Sequence, residues 1–553
     1  MTEPYTHNAY PAGMQASIDP EQYDSVLDLF EQKTQEYADK PAYTCMGRTL
    51  TYGELDRYSA AFAAYLQNET DLQPGDRIAV QLPNILQYPI AVFGALRVGL
   101  TVVNTNPLYT ERELEHQMND SGAKALVVYA GMAAQAIKVQ PKTPVQHIVV
   151  TELADLHPGL KRVLINTVVK RVKKMVPSYD SSRVFSFRKA LQLGAGQSFT
   201  RIAAGHDETI ILQYTGGTTG VAKGAMLTNR NLIANSLQCN QFFKLALKNG
   251  QETIVAPLPL YHIYAFTVHC MTIMLTGNHN VLIPNPRDIK SFIGELKQHR
   301  FSAFVGLNTL FVALMNNEGF TDVDWSSLQL CVSGGMALNR STAERWESLT
   351  GCAIAEGYGM TESSPVLSFN PSGHVQLGTI GIPTPSTEVR ICDDDGKLLG
   401  FNEPGELQVR GPQVMKGYWN RPDDTAKTID ADGWLKTGDI AVLQEDGYLK
   451  IVDRKKDMIV VSGFNVYPNE VEDVLSAHPK VVECAAVGVP SEKSGEAVKV
   501  YLVVREPVTE QELIDFCRQS LTGYKVPRLF EFRDELPKTN VGKVLRRELR
   551  DTD

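Results

Sequence analysis

From about residue 75 onward, short apolar runs alternate with stretches in which apolar residues recur at helical spacing. A strand covered on both faces reads as an unbroken apolar run, whereas a helix packed on one side shows its stripe every three or four residues. RIAVQLP (77–83), TVVN (101–104) and ALVVY (125–129) therefore predict strands, with helices over 88–100 and 111–122. The pattern resumes with strands in TIILQYT (209–215), IVAPL (254–258), VLIP (281–284), AFVGL (303–307) and LQLCVSGG (328–335), and helices over 229–242 and 339–351. Buried strands alternating with helices predict an α/β sheet architecture. After about residue 378 the runs shorten and turn residues multiply, so 378–452 reads as a β-rich subdomain. The last hundred residues predict a separate α+β unit: helix 469–478, strands 484–490 and 499–505, and helices 509–521 and 541–550.

One segment breaks the rhythm. GLKRVLINTVVKRVKKMVP (159–177) holds Lys161, Arg162, Lys170, Arg171, Lys173 and Lys174 and no acid, with Leu160, Leu164, Val168, Val172 and Met175 at helical spacing. Basic amphipathic helices lie on anionic membrane surfaces. Lys161 and Arg171 fall inside the apolar arc, so an ordinary solvated helix packed on its own domain is the competing reading.

Composition narrows the class. At 553 residues the chain has room for three to four domain-sized units, and 43 % hydrophobic with 21 % charged residues is a globular profile. A net charge of −9, and 16 Lys+Arg against 17 Asp+Glu over 454–553, argue against nucleic acid as the main partner. No two of the eight cysteines stand at CxxC spacing, which speaks against a zinc site or disulfide framework and for a reducing cytoplasm. The first fifteen residues lack the basic and apolar regions of a signal peptide, and the longest apolar stretch, 90–103, is interrupted by Arg97.

The densest chemical signal is YTGGTTGVAKGA, comprising Tyr214, Thr215, Gly216, Gly217, Thr218, Thr219, Gly220, Val221, Ala222, Lys223, Gly224 and Ala225, directly after a predicted strand. Glycines let backbone N–H groups close on phosphate oxygens, hydroxyls add donors and lysine adds a mobile charge. It is not a Walker A loop, because Ala222 precedes Lys223 and Gly224 follows it. The bland alternative is a glycine-rich hairpin without a ligand.

This run resembles the phosphate loop of the adenylate-forming superfamily of acyl-CoA ligases, luciferases and peptide-synthetase adenylation domains. LPLYHIYA (258–265), SGGMAL (333–338), GYGMTE (357–362), WLKTGD (434–439), DRKKDMIVVSGFNVYPNE (453–470) and PKTNVGK (537–543) follow in the superfamily's order, and the likeness spans essentially the whole chain. Residues 432–456 are most similar to the bacterial long-chain fatty-acid–CoA ligases. The resemblance implies an AMP-binding domain over 1–452, a hinge at Asp453 and a mobile C-terminal domain over 454–553. It implies that Thr215 and Glu362 hold Mg²⁺ on ATP, that Gly334, Gly335 and Tyr358 enclose adenine, and that Asp439 takes the ribose hydroxyls with Arg454 beside it. It places Gly359, Thr361, Lys456, Ser462 and Gly463 in the same ligand-binding set. Lys543 would sit on the attacking carboxylate and the α-phosphate, one turn into the last predicted helix. That role is physically sensible, since two anions must meet there.

From Thr253 to Arg287 there is no Asp or Glu. An amino-acid substrate would leave its ammonium unpaired, which is costly; an apolar acid fits. The resemblance places His262 and an aromatic gate at Phe266 on that acid. The expected chemistry joins a fatty acid to coenzyme A with ATP, in two steps through an acyl-adenylate. A ligase for medium-chain or aromatic acids and a silent lipid- or nucleotide-binding relative are the alternatives. A homodimer and a reversible contact with the inner face of the cytoplasmic membrane complete the expectation.

Overall fold

A computed structural model of the chain describes residues 3–7, 9–215, 222–462, 464–491, 494–539 and 544–550. Two large sheets form the body. The first has eight strands in the order Gly417–Tyr418, Lys223–Thr228, Thr209–Thr215, Thr101–Asn104, Arg77–Gln81, Ala123–Tyr129, His147–Thr151 and Phe185–Ser186. From Thr209–Thr215 to Phe185–Ser186 all neighbours are parallel, while the hairpin partner Lys223–Thr228 and Gly417–Tyr418 run antiparallel at one edge. The second has nine strands, parallel from Ile354–Gly359 through Leu330–Ser333, Ala303–Gly306, Thr253–Ala256 and His279–Leu282 to Pro41–Cys45. Ligands of open α/β sheets bind beyond the carboxyl ends of parallel strands. Thr215, Ser333 and Gly359 each end such a strand.

The apolar runs behave as their composition demands. The helix Gln87–Arg97 is buried at all eleven positions, one apolar cluster runs between the two sheets, and Phe30 stacks on Phe93 at 4.0 Å within it. Arg97, which broke the apolar stretch, is buried at the end of that helix. Its guanidinium reaches Glu31 at 3.0 Å, Asp56 and the Ser59 hydroxyl, so the charge is paired rather than stranded. The helix stops because Gly99 takes φ +73°, and a Cβ there would meet Ile202 Cγ2 at 2.7 Å. Thr110 and Glu113 form a capping box on Glu111–Ser121, and Gly122 closes it in the left-handed region.

The β-rich region is a five-stranded antiparallel sheet of Glu388–Cys392, Gly405–Arg410, Leu435–Leu443 and Leu449–Arg454, with Tyr5–Thr6 from the chain start on its edge. The C-terminal unit pairs Val481–Ser491 with Gly495–Val504, adds Leu529–Phe532 in parallel, and has its own apolar cluster. Its last described helix is Arg546–Arg550; of the predicted 541–550, residues 541–543 lie outside the described residues and Val544 and Leu545 precede the helix. Val544 bridges Lys538 and the Leu545 N–H donates to the Pro537 carbonyl, so these two residues follow strand-like and turn bonding instead of the helical ladder. The eight cysteines are free thiols, and no described helix is long and apolar enough to cross a membrane.

Candidate active site

A cavity of about 3280 Å³ opens between the carboxyl ends of both sheets, the β-rich sheet and the C-terminal unit. That exceeds the several hundred Å³ of a usual single-ligand pocket. Of the residues singled out in the sequence, Tyr214, Thr215, Ala222, Lys223, His262, Gly334, Gly335, Tyr358, Gly359, Thr361, Glu362, Asp439, Arg454 and Lys456 line it. Gly224, Ala225, Phe266 and Ser462 stand off its wall. Phe266 is fully buried in the core and opens the π-helical stretch Phe266–Thr272, and Ser462 sits in the left-handed region at φ +52°. Gly216, Gly217, Thr218, Thr219, Gly220, Val221, Gly463 and Lys543 lie outside the described residues.

Backbone pairing explains much of the convergence. The hairpin sets Thr215 opposite Lys223 and Tyr214 opposite Gly224, so both ends of the glycine-rich run are held in one register. A Cβ on Gly224 would approach the Tyr214 ring to 3.1 Å. In the β-rich sheet Asp439 lies opposite Arg454, and the Asp439 carboxylate has Arg454 Nε at 3.5 Å. Tyr358 reaches the same carboxylate from the nine-stranded sheet, its hydroxyl donating to Oδ2 at 2.5 Å. Burial, reinforced by that aspartate, raises the Tyr358 phenol, so it stays a neutral donor.

Glu362 follows Gly359 by one tight turn and is 8 % exposed. Tyr418 donates to its Oε1 at 2.6 Å. Burial pushes the Glu362 carboxyl up, while that hydrogen bond and the positive charges of Arg454 and Lys223 oppose the shift. Lys223 pairs with Asp424 at 2.9 Å and lies over the Tyr418 ring. A hydroxyl on Thr215 and a buried carboxylate on Glu362 are hard oxygen donors on one wall, the set that magnesium takes alongside phosphate oxygens.

Part of the wall is apolar. The helix Asn229–Phe243 packs on the π-helical stretch, and Phe242, Phe243, Val268 and Val366 face the cavity. His262 caps the short helix Ile263–Ala265, its Nδ1 accepting from the Tyr264 N–H at 3.3 Å. Burial pushes its imidazole down to about 4, so the ring is neutral with its proton on Nε2.

Four residues at or behind the site were not singled out in the sequence. Tyr264 packs against Gly334, where a Cβ would meet its ring at 3.1 Å, and neither its hydroxyl nor that of Ser333 has a hydrogen-bond partner among the described residues. Buried polar atoms on a cavity wall that lack a protein partner are available to a ligand. Glu356, immediately before the GYGMTE run, accepts from the Leu338 N–H at 3.2 Å, and burial raises its carboxyl to about 8. Tyr418 is the third. Asp120 is the fourth: it accepts from Tyr214 Oη and from Arg421 Nη2, both at 2.7 Å, and so anchors the base of the glycine-rich run. Tyr264 lay inside a quoted motif and Glu356 beside one; Tyr418 and Asp120 carry no local signal.

An adenylate-forming ligase architecture is what this fold and cavity define, and the chain belongs to the AMP-binding enzyme family. The family's main profile matches residues 30–419, and the profile of its C-terminal domain matches 470–543. Among curated relatives, a long-chain-fatty-acid–CoA ligase of Escherichia coli O157:H7 is 54 % identical over 98 % of this chain and 97 % of its own length. One from Bacillus subtilis (strain 168) is 37 % identical over 95 % and 94 %. Among solved structures, ATP-bound MatB from Rhodopseudomonas palustris superposes with a TM-score of 0.82 at 28 % identity, covering 95 % of this chain and 98 % of that one.

Proposed function

We propose that the chain is a long-chain-fatty-acid–CoA ligase. In the first step a fatty carboxylate oxygen attacks the α-phosphorus of ATP and pyrophosphate leaves. In the second the sulfur of coenzyme A attacks the acyl carbon and AMP leaves. The observation that carries this reading is the lining of one cavity: buried Glu362 and Asp439 with Tyr358 and Tyr418 line it, and so do Phe242, Phe243, Ile263 and Val268, the last two from a stretch, Thr253 to Arg287, without Asp or Glu. The near full-length relatives of that name support it.

In this reading Asp439, oriented by Tyr358 and Arg454, accepts from the ribose hydroxyls. Gly334 and Gly335 let the adenine lie close to backbone. Thr215 and Glu362 hold Mg²⁺, which when bound neutralises phosphate charge. Lys543 offsets the repulsion between carboxylate and phosphate. Neutral His262 adds no competing charge where the acid lies. The C-terminal unit turns about Asp453 between steps, a gating use of a hinge. The protein works in the cytoplasm and visits membrane surfaces reversibly.

Thioester formation measured with acids of increasing chain length tests the proposal. Each methylene buried is worth roughly 0.8 kcal/mol, so kcat/KM should climb about three- to fourfold per carbon until the apolar wall ends. A preference for aromatic or short acids would overturn it.

A further inference from the structure

The segment 159–177 is turned inside out relative to an ordinary surface helix. The helix Gly159–Thr167 runs into a π-helical turn, Val168–Val172. Leu160, Val163 and Leu164 occupy i, i+3 and i+4 and so share one side. That side faces solvent: Leu160 is 88 % exposed and Leu164 65 %, with Val172 at 73 % beyond them. The side turned to the protein carries Asn166, which accepts from the Ala154 N–H at 2.9 Å and donates to Asp155, together with buried Val169. A helix folded only for its own domain would bury its leucines and expose its asparagine.

Charge says what covers the face. Lys161, Lys170, Arg171, Lys173 and Lys174 are exposed beside the leucines, and Arg162 is half-buried. Arg162 and Lys170 act on the carboxyl of Glu152 beneath, yet no member of the six closes a salt bridge among the described residues. Six cations without an acid, in a chain of net charge −9, are a local field of opposite sign to the whole. Apolar side chains flanked by mobile cations suit an anionic bilayer, where leucines enter the acyl boundary and ammonium groups stay at the headgroups.

We infer that residues 159–175 are a docking surface for anionic lipid bilayers, centred on Leu160, Leu164 and Val172 and steered by Lys170, Arg171, Lys173 and Lys174. The segment lies off the cavity wall, so this inference stands whether or not the chain-length reading of the ligase does. It assigns a place and a chemistry to the surface visits proposed above.

The experiment is sedimentation of the full chain with vesicles of phosphatidylglycerol and phosphatidylcholine, against phosphatidylcholine alone, at low and raised salt. Two variants are compared with the parent: Lys170→Gln/Arg171→Gln/Lys173→Gln/Lys174→Gln, and Leu160→Ser/Leu164→Ser. All six side chains are exposed, so unchanged thermal melting and unchanged ligase activity on a soluble short acid are expected of both. The parent should bind only the anionic vesicles and release as salt rises. The charge variant should lose at least about tenfold in binding, each basic residue near the surface contributing measurably. The leucine variant should also weaken at low salt. Equal sedimentation of parent and charge variant overturns the assignment. So does a parent that ignores vesicles but forms a dimer broken by the leucine variant, which would make the face an interface between two copies.

Discussion

Glu356 offers a quantitative test of the cavity wall. It sits on the strand Ile354–Gly359, takes one N–H from Leu338 and faces Asp473 of the C-terminal unit. Burial first, and Asp473 after it, lift its carboxyl from 4.5 to about 8. Between those values the native state holds a proton that the unfolded chain has released. Stability from this group is therefore full below about pH 4.5 and lost as pH rises through 8. The whole shift is worth roughly 5 kcal/mol at 1.36 kcal/mol per unit. The carboxyl is partly open to a cavity that water enters, so on the order of 2 kcal/mol should survive screening. Glu356→Gln keeps an oxygen for the Leu338 N–H and removes the titration. The difference in unfolding free energy between variant and parent should thus grow by about that amount from about pH 5 to pH 8.5. Asp453, raised by burial to about 6, titrates identically in both and cancels. All four tryptophans, Trp325, Trp346, Trp419 and Trp434, precede Asp453, so their fluorescence in urea follows the part that holds Glu356. Parallel stability curves for the two proteins across that range would refute the protonated, buried carboxyl.

Tyr418→Phe should cut Mg²⁺-dependent ATP–pyrophosphate exchange roughly ten- to a hundredfold, the worth of a hydrogen bond to a charged group. Because Glu362 then loses the bond that holds its carboxyl down, part of the activity should return as pH rises; a flat pH profile would exclude the link. Asp439→Asn should raise KM for ATP about tenfold or more and leave KM for the acid unchanged, and a reverse split would move Asp439 off the ribose. Lys543→Ala should lower adenylation roughly 10²–10³-fold while sparing thioester formation from supplied acyl-adenylate; equal losses in both half-reactions would defeat its assignment.

The parallel core was legible because its physics is local. Strands covered on both faces must be apolar throughout, and TVVN is the strand Thr101–Asn104 to the residue. Helix boundaries marked by chemistry were equally readable: Thr228 caps Asn229–Phe243, and the predicted helix over 229–242 differs by one residue. What could not be read was pairing at a distance. Nothing in Tyr5–Thr6 announces that it completes a sheet nearly four hundred residues away, since edge pairing depends on backbone groups that every residue carries. Leu529–Phe532 escaped for the same reason: none of its four residues is buried, so it joins the sheet edge by backbone pairing without a buried face. Within the described part of VGKVLRRELR, the Lys538–Val544 bridge draws Val544 out of the amphipathic period that predicted one helix.

The site divides along the same line. Residues whose role needs a glycine or a fixed spacing, such as Gly334 under Tyr264 or Asp439 opposite Arg454, announce themselves as motifs. Residues that orient those groups do so from other elements and need only one atom in place. Asp120 joins the strand of Tyr214 to the loop of Arg421, which lie 94 and 301 positions from it, and Tyr418 reaches Glu362 from the edge of the other sheet. A side chain recruited for a single hydrogen bond leaves no periodicity and no composition bias behind. Yet it sets whether a buried carboxylate is charged. The chemistry of the cavity therefore depends on two layers. The glycines and carboxylates determine what can bind, and the tyrosines and arginines behind them determine in which protonation state it is met. Glu362 with Tyr418 and Asp439 with Tyr358 repeat that arrangement, each joining the end of the nine-stranded sheet to a different sheet and pairing a carboxylate with a phenol held neutral by burial. A neutral donor steadies a carboxylate without cancelling its charge, which is what the roles proposed for Glu362 and Asp439 both require.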